Sequence, residues 1–317
     1  MSGPLFAAEP EVTFVGHDLQ RPECVLACAS GRLFVSDGRG GVTTIAPDGA
    51  QRMIGNSSLV PNGIALCRDG SFLVANLGPG GGLWRIGTDG EATPYLTEVD
   101  GRVLPGVNYV GLDLQERIWV SISAHATGES YPVRAQTGFI VLIDGKGARI
   151  VADGLQYTNE CRIDPSGRYL FVNETFGRKL TRFALAADGS LREKETFAEF
   201  SAGDFPDGLT LDAEGGIWVM CVGSNRVYRV GTDRRIETVI DDSVPDIVTK
   251  LEAAYLSDTL TRPDLSVAAG RRLKNVSSLA FGGPDQRTAY LGCLKGTSLA
   301  SFRSPVAGVP QVHWNWS

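Results

Sequence analysis

Five oxygen-bearing side chains recur at one point of a repeated sequence pattern. The pattern is clearest in FPDGLTLDAEGGIWV, where the recurring position is Asp207, and we call this position the slot. The slot is filled in the other copies by Glu23, Asn62, Asn108 and Asn159, and in a weaker sixth copy by Ser277. Carboxylate and amide oxygens are the ligands that hard divalent cations prefer. The slot residues therefore indicate a cation site, provided that the fold brings the copies together.

The spacing of the copies predicts how the fold does so. Successive slots lie roughly 40–50 residues apart in most cases, a period typical of β-propeller blades. Each copy continues with alternating apolar residues, a turn with Gly or an acidic residue, and a β-rich run such as RLFVSD, SFLVAN or GIWVMC. A further strand-like run follows in most copies, for example GLWRIG or RVYRVG. We therefore predict an all-β fold, a six-bladed β-propeller with three to four strands in each blade.

Equivalent positions of successive propeller blades lie at the same height around the central channel. The slot side chains should thus form a ring at one mouth of that channel. Two carboxylates buried there without a cation would repel each other and lose hydration, so we expect one divalent metal ion, held by Glu23, Asp207 and an Asn carbonyl. Oxygen ligands favour calcium, which we expect first, or magnesium or manganese; zinc stays open, although the three histidines have no ligand spacing. The alternative is that the slot residues only make Asx turns at the strand entries.

The two ends of the chain should meet in one blade. The segment Glu11–Gly16 alternates apolar and polar residues but precedes the first slot, so it is a strand without a blade of its own. We expect it to pair with the last copy and the nearby QVHW segment, which would close the ring and leave no long edge strand open. Residues 1–317 would then be a single propeller domain with an insertion at 241–274.

The insertion at 241–274 explains why the last interval between slots is longer than the others. Pro245 is a plausible helix start, with Asp246 as the expected cap. Apolar residues then follow on one helical face, namely Ile247, Val248, Leu251, Ala254 and Tyr255. An apolar face outside the blades must pack on another surface. We predict a short helical insertion before the last blade that covers the channel mouth or forms a contact between subunits.

The composition limits the partners of the protein. The 30 Lys and Arg residues against 36 Asp and Glu residues give a net charge of −6, so no basic surface indicates binding to nucleic acid or an anionic membrane. No apolar run is long enough for a membrane span, and the N-terminal residues lack a secretory pattern, so we expect a cytoplasmic protein that acts on a small molecule. The six cysteines have no paired spacing and replace apolar residues in strands, which indicates reduced core thiols. A homo-oligomer stays open.

Three of these segments resemble the superfamily of gluconolactonases and regucalcin, which is also called senescence marker protein. Its early Glu-Gly-Pro motif corresponds to ECV at 23–25, its Asn-Gly motif to TNECRIDPSGRYLFVNETFGRKLTRF, and its Pro-Asp-Gly motif to PDGLTLDAEGGIWV, which is the most specific match. The resemblance covers nearly the whole chain. It implies a catalytic metal ion held by Glu23, Asn159 and Asp207, substrate contact by Asn108, and hydrolysis of a lactone, with a sugar-type lactone favoured.

The chain departs from the family pattern at two positions. Glu160 stands where the family generally has Gly, and Tyr109 follows Asn108 where Asp is common. The additional carboxylate of Glu160 would tighten the site, point away from it, or alter the substrate that is bound. Asn62, and His125 in a long loop of the third copy, complete the residues that we expect to contact substrate. For His125 the alternative is a solvated loop side chain, and for Asn62 it is an Asx turn.

The residues are also compatible with metal-assisted hydrolysis in their own right. A divalent ion polarises the carbonyl of an ester and lowers the pKa of bound water. Asp207 is the expected general base, because it would lie beside that water and accept its proton. No G-x-S-x-G motif marks a serine nucleophile. Two alternatives stay open: a metal-dependent hydrolase of another small ester or electrophile, and a propeller that binds a ligand without turnover.

Overall fold

Backbone hydrogen bonds organise most of the chain into four-stranded antiparallel sheets. The computed structural model describes residues 5–123 and 129–316. Within these residues there are six such sheets, and the first strand of each contacts the first strands of the two neighbouring sheets. The first strands therefore surround a central channel. This ring confirms the predicted six-bladed β-propeller.

The blades are numbered along the chain, and a short strand, β1 Thr13–Val15, precedes them. Blade 1 contains β2 Val25–Ala27, β3 Leu33–Asp37, β4 Gly41–Ile45 and β5 Gln51–Ile54, and blade 2 contains β6 Pro61–Leu66, β7 Phe72–Asn76, β8 Leu83–Ile86 and β9 Ala92–Leu96. A hairpin follows, formed by β10 Glu98–Val99 and β11 Arg102–Val103. Blade 3 contains β12 Val107–Leu112, β13 Ile118–Ile122, β14 Gly138–Asp144 and β15 Gly147–Leu155. Blades 4 and 5 contain β16 Thr158–Ile163, β17 Tyr169–Glu174, β18 Lys179–Leu185 and β19 Leu191–Glu199; and β20 Asp204–Leu211, β21 Ile217–Gly223, β22 Arg226–Val230 and β23 Ile236–Asp241. Blade 6 contains β24 Val276–Gly282, β25 Thr288–Cys293 and β26 Leu299–Arg303.

The first strands of blades 2 to 6 all carry an irregularity at the slot. The register shifts between Pro61 and Ile64 in β6, and between Pro206 and Leu209 in β20. Equivalent shifts flank the slots of β12, β16 and β24. A β-bulge leaves one residue unpaired and re-aims its side chain. The bulges therefore free the slot side chains from the alternation of the strand, so that those of blades 2 to 5 reach the channel mouth.

The two ends of the chain close the ring as predicted. Strand β1 pairs antiparallel with β26, with Thr13 opposite Ser301 and Val15 opposite Leu299. The start of the chain thus supplies the outermost strand of blade 6, next to β26, and completes it as a four-stranded sheet. This arrangement leaves no free position for a strand formed by QVHW.

The expected strand pairing of QVHW is wrong, since these residues form turns at the other end of the channel. There the tail hydrogen-bonds to loops that follow the first strands: the Val309 amide donates to the Leu211 carbonyl at 3.1 Å, and the Ala29 amide donates to the Trp314 carbonyl at 2.7 Å. The Trp316 ring packs edge-on against Phe34 at 5.3 Å. The tail therefore runs across the channel end opposite the slots, from blade 5 to blade 1.

The insertion contains the predicted helix α1, Pro245–Leu256, and a short helix α2, Arg262–Ser266. The N-cap of α1 is Val244, which makes no side-chain cap, so the expected cap at Asp246 is wrong; Pro245 presets the first helical turn instead. The buried face of the insertion packs on blades 4 and 5 at the end of the channel where the slots lie, and there it contacts Phe176 and Phe205. The α2 residues Leu265 and Ser266 line the cavity at the channel mouth. The insertion therefore covers part of that mouth.

The faces between neighbouring blades form the hydrophobic core, as the alternation of apolar residues requires. All six cysteines are unpaired and five of them are buried, which agrees with core thiols. No helix in the described part of the chain is long and apolar enough to cross a membrane.

Candidate functional site

The slot residues of blades 1 to 5 line one cavity at the channel mouth, with a volume of about 250 Å³. These residues are Glu23, Asn62, Asn108, Asn159 and Asp207, and all five are buried. The sixth slot residue, Ser277, does not line the cavity; its hydroxyl donates to the Glu23 carbonyl at 2.9 Å. The structure therefore brings together the predicted ring of two carboxylates and three amides.

Asn62 ties the first three blades together at the floor of this cavity. Its Nδ2 donates to Glu23 Oε1 at 3.2 Å and to the Asn108 carbonyl at 2.7 Å. Its Oδ1 accepts from Arg21 Nη2 at 2.6 Å. Because both amide hydrogens are engaged, Asn62 has only a carbonyl lone pair to offer to a ligand. Its first effect is to orient Glu23.

The charged form of the Glu23 side chain is energetically unfavourable at this buried position. Its Oε2 is buried and has no hydrogen-bond partner among the described residues. Burial, and then the nearby charge of Asp207, raise the pKa of Glu23 well above its usual value, and Arg21 opposes this effect only in part. A buried carboxylate of this kind takes up a proton or a cation.

The pKa of Asp207 is raised as well. Burial, followed by the charge of Glu160, raises the pKa of Asp207 to about 7, while Arg21 and the Asn159 amide lower it. At neutral pH this carboxyl group therefore exchanges readily between its protonated and charged forms. A cation placed between Glu23 and Asp207 would stabilise the charged form of both.

The two remaining amides differ in how they are held. Asn159 Nδ2 donates to Thr175 Oγ1 at 3.1 Å, and its Oδ1 accepts from the Glu160 amide at 2.9 Å. Thr175 in turn donates to the Pro206 carbonyl at 2.8 Å, which fixes the orientation of Asn159 against blade 5. Asn108 Oδ1 is buried without a partner in the described part of the chain. It is a free acceptor on a residue that lines the cavity.

Aromatic rings form one wall of the cavity. Tyr131, Tyr157 and Phe176 pack against each other with ring centroids 4.6 to 5.8 Å apart. Burial raises the pKa of both tyrosines, so their hydroxyl groups stay protonated at neutral pH. The wall therefore offers apolar ring faces and edges at different angles, together with phenol groups.

Glu160, expected to contact substrate, does not line the cavity. Its Oε2 accepts from the Leu209 amide at 3.1 Å and lies 3.5 Å from Arg162 Nη2, while its Oε1 is buried without a partner among the described residues. Burial raises the pKa of Glu160 despite the charge of Arg162. Of the three outcomes considered for Glu160, the structure favours a side chain that points away from the cavity and acts on Asp207 through its charge. His125 lies outside the described residues.

Several cavity-lining residues are not slot residues and were not predicted from the sequence: Arg21, Tyr131, Tyr157, Thr175, Arg262, Asn275 and Lys295. Arg21 and Tyr157 each lie two residues before a slot, which is a signal that the repeat alignment contained. Arg262 comes from α2 and Lys295 from the loop after β25, so the segments that carry them have no slot periodicity. Only the fold shows that these segments reach the same mouth.

The donor set fits a hard divalent cation. Two carboxylates with raised pKa values face one cavity, and two buried oxygens, Glu23 Oε2 and Asn108 Oδ1, have no partner in the described chain. Within the described residues, no three His, Cys, Asp or Glu side chains come together as a metal site. The oxygen donors here are instead two carboxylates and amide carbonyls, which is the kind of set that calcium accepts.

A six-bladed propeller with an oxygen-lined channel mouth is the class that the fold and the cavity define. The chain belongs to the SMP-30/gluconolactonase/LRE-like family, whose sequence model matches residues 22–251. A protein of Sulfolobus acidocaldarius with no assigned function is 26% identical over 125 residues, which are 39% of this chain and 44% of that protein. This chain therefore matches less than half the length of that relative.

Solved structures share the fold at low sequence identity. A gluconolactonase of Xanthomonas campestris superposes with a TM-score of 0.68 at 18% identity, covering 95% of this chain and 97% of that one. The calcium-binding protein regucalcin of Agrobacterium tumefaciens superposes with a TM-score of 0.66 at 18% identity, covering 95% and 93%. At these identities the likeness shows that the propeller architecture is common to all three.

Proposed function

We propose that this protein is a metal-dependent hydrolase that opens a small lactone, with a sugar-type lactone favoured. The observation that carries the proposal is the pair of unpartnered buried oxygens, Glu23 Oε2 and Asn108 Oδ1, in one cavity with Asp207, whose pKa is raised to about 7. Membership of a family that includes gluconolactonases supports the choice of a lactone.

Glu23, Asn159 and Asp207 would hold one divalent ion. Calcium is favoured because the ligands are oxygens and because one structural neighbour is a calcium-binding protein; magnesium, manganese and zinc stay open. When bound, the ion would polarise the lactone carbonyl and lower the pKa of water in the site. The amide orientation of Asn159 is already set by Thr175, so this ligand would need no rearrangement.

Asp207 would act as general base. A bound cation would lower the pKa of Asp207 and keep its carboxylate charged, so that it can accept a proton from water at neutral pH. Asp207 accepts a proton from the attacking water, whose oxygen adds to the lactone carbonyl carbon. The ring C–O bond then breaks, and the ring oxygen leaves as a hydroxyl group after it takes up the proton. The product is an open-chain hydroxy acid.

The remaining residues would position the substrate. Asn108 Oδ1 accepts a hydrogen bond from a substrate hydroxyl group, and its partner is missing until substrate arrives. Tyr131 and Tyr157, whose rings are nearly perpendicular, contact the apolar parts of the substrate. Asn62 contributes through its hold on Glu23 more than through direct contact.

Metal analysis followed by an activity panel tests the proposal. The purified protein would be stripped with a chelator, reloaded separately with calcium, magnesium, manganese or zinc, and assayed with sugar lactones, simple lactones and aryl esters. We expect activity only with metal, and higher activity on lactones than on esters. Equal activity before and after metal removal would contradict the metal-dependent mechanism. Activity on esters alone would support the alternative that the protein is a metal-dependent hydrolase of another small ester.

A further inference from the structure

Three positively charged side chains line the cavity of this acidic protein. Arg21 lies beside the slot ring, while Arg262 and Lys295 stand at the rim. They come from blade 1, from α2 and from the loop after β25. Three separate parts of the fold therefore direct positive charge at one pocket in a chain whose net charge is −6.

Arg262 and Lys295 are exposed and face no carboxylate partner in the described residues, whereas the charge of Arg21 acts on Glu23 and Asp207. No carboxylate in residues 5–123 and 129–316 forms an ion pair with Arg21, Arg262 or Lys295. Arg262 instead stacks its guanidinium group 5.0 Å above the Tyr131 ring. This contact holds the guanidinium group beside the cavity wall, and the group has more N–H donors than the one phenol oxygen of Tyr131 can accept. Donors of this kind bind carboxylate and phosphate groups through paired hydrogen bonds.

Three cavity-lining residues, which precede the first strands of blades 1, 4 and 6, have an uncommon backbone conformation. Arg21 has φ +46° and Tyr157 has φ +62°, both in the left-handed region that bulky residues rarely adopt. Asn275, which also lines the cavity, has φ +66°. Strained residues of this kind persist where their position serves a ligand. All three lie two residues before a slot, so this conformation places Arg21 and Tyr157 at equivalent points around the cavity mouth.

We infer that the substrate carries an anionic group, a carboxylate or a phosphate, at the end remote from its lactone ring, and that Arg262 and Lys295 bind this group. The inference rests on the proposed hydrolase. The reactive end of the substrate lies at Glu23 and Asp207, and the rim cations lie at the entrance of the same cavity. A neutral sugar lactone offers these exposed cations no ionic partner, while an anionic one does.

Matched substrates test the inference. Three lactones would be compared by kcat/KM: gluconolactone, the same lactone with a terminal phosphate ester, and the lactone of glucaric acid, which has a terminal carboxylate. We expect at least one charged lactone to be preferred by about tenfold or more, because charge-assisted hydrogen bonds are stronger than neutral ones. The two charged substrates distinguish a phosphate site from a carboxylate site.

Variants locate the origin of the preference. Arg262→Gln should bring the ratio of charged to neutral kcat/KM close to one, and Lys295→Gln should reduce it. Arg192→Gln, an exposed arginine on the outer strand β19, is the matched control and should leave the ratio unchanged. The absence of a preference for either charged lactone would overturn the inference, as would an equal loss in Arg192→Gln.

A binding measurement separates this inference from the proposed function. Inorganic phosphate would be titrated by calorimetry into metal-free protein, so that a metal ion cannot bind the anion. Binding should persist in Asp207→Asn and be lost in Arg262→Gln. If no lactone is hydrolysed but phosphate binds in this pattern, the proposed function fails and the anion site stands. If lactones are hydrolysed without charge preference and phosphate does not bind, the anion site fails and the hydrolase stands.

Discussion

At the scale of single residues, the proposed chemistry depends on two buried carboxylates, and burial disfavours the charged form of each. Glu23 and Asp207 face one cavity, and burial together with mutual repulsion raises the pKa of Glu23. A protein stabilises such a pair only if a proton or a cation compensates it. The same burial and repulsion that disfavour two charged carboxylates would favour the binding of the proposed divalent ion.

The proposed role of Asp207 gives the first prediction. Asp207→Asn removes the base and one negative ligand while it keeps the size of the side chain, so turnover should fall by at least about a hundredfold with the fold retained. Circular dichroism and steady-state kinetics would measure the two effects. Asn108→Ala should instead act mainly through a higher KM, because it removes a substrate contact. An Asp207→Asn variant as active as the parent would contradict both the ligand and the base assignment.

The raised pKa of Asp207 also predicts how stability depends on pH. The group titrates at about 7 in the folded protein and at 3.8 ordinarily, so the folded state binds the proton more tightly. Its contribution to stability is then complete below about pH 4 and is lost as the pH rises through about 7. We expect the Tm of the metal-free parent to fall between about pH 4 and 7, and the Tm of the metal-free Asp207→Asn variant to fall by less.

The control for this measurement is Asp246→Asn, which changes an exposed carboxylate in the first turn of α1. It should follow the pH profile of the parent. Identical Tm profiles for Asp207→Asn and the parent from about pH 4 to 8 would show that Asp207 does not titrate in this window.

At the scale of elements, the insertion is part of the cavity wall as well as a cover. Helix α1 buries Leu251 and Tyr255, and the Tyr255 hydroxyl donates to the Phe176 carbonyl at 2.7 Å. Phe176 in turn packs on the ring of Tyr157 in the cavity wall. The position of α1 is therefore transmitted through Phe176 to the aromatic residues that would hold the substrate.

A pair of leucine variants in α1 tests this packing. Leu251→Ala removes a buried side chain, so we expect it to lower the free energy of unfolding by roughly 2–4 kcal/mol. Leu256→Ala, on the exposed side of the same helix, should change it by less than about 0.5 kcal/mol. Urea unfolding of both variants would measure the difference. Equal effects would mean that α1 is not anchored to the blades through Leu251.

At the scale of the whole molecule, the two mouths of the channel are different. The slot side carries the cavity, the aromatic wall and the insertion, while the C-terminal tail crosses the other side. Arg162 connects the two, since its Nη2 lies 3.5 Å from Glu160 Oε2 and its Nη1 donates to Gln311 Oε1 at 3.0 Å. The tail thus covers the channel end opposite the cavity.

Because the proposed metal would join Glu23 of blade 1 to Asn159 and Asp207 of blades 4 and 5, it should stabilise the closed ring as a whole. A ligand that binds only the folded state adds about 3 kcal/mol at a hundredfold excess over its Kd. We expect calcium to raise the Tm of the parent by several degrees and to have little effect on Asp207→Asn. No shift in the parent with calcium, magnesium, manganese or zinc would contradict the metal site.

The sequence by itself determined the features that repeat. The period of the copies predicted six blades, the slot alignment predicted the ring of Glu23, Asn62, Asn108, Asn159 and Asp207, and helical spacing predicted α1. These predictions succeed because blade packing imposes the same pattern on every copy. The pattern is local, so it can be read without knowledge of the neighbours.

Only the tertiary structure decided the features that occur once. The turn of Glu160 away from the cavity and the path of the QVHW segment across the opposite channel end each occur once and have no periodic signal. The meeting of Arg21, Arg262 and Lys295 depends on three loops that are far apart in the chain. Contacts of this kind are set by the closure of the ring, which places distant residues together for reasons that no local pattern contains.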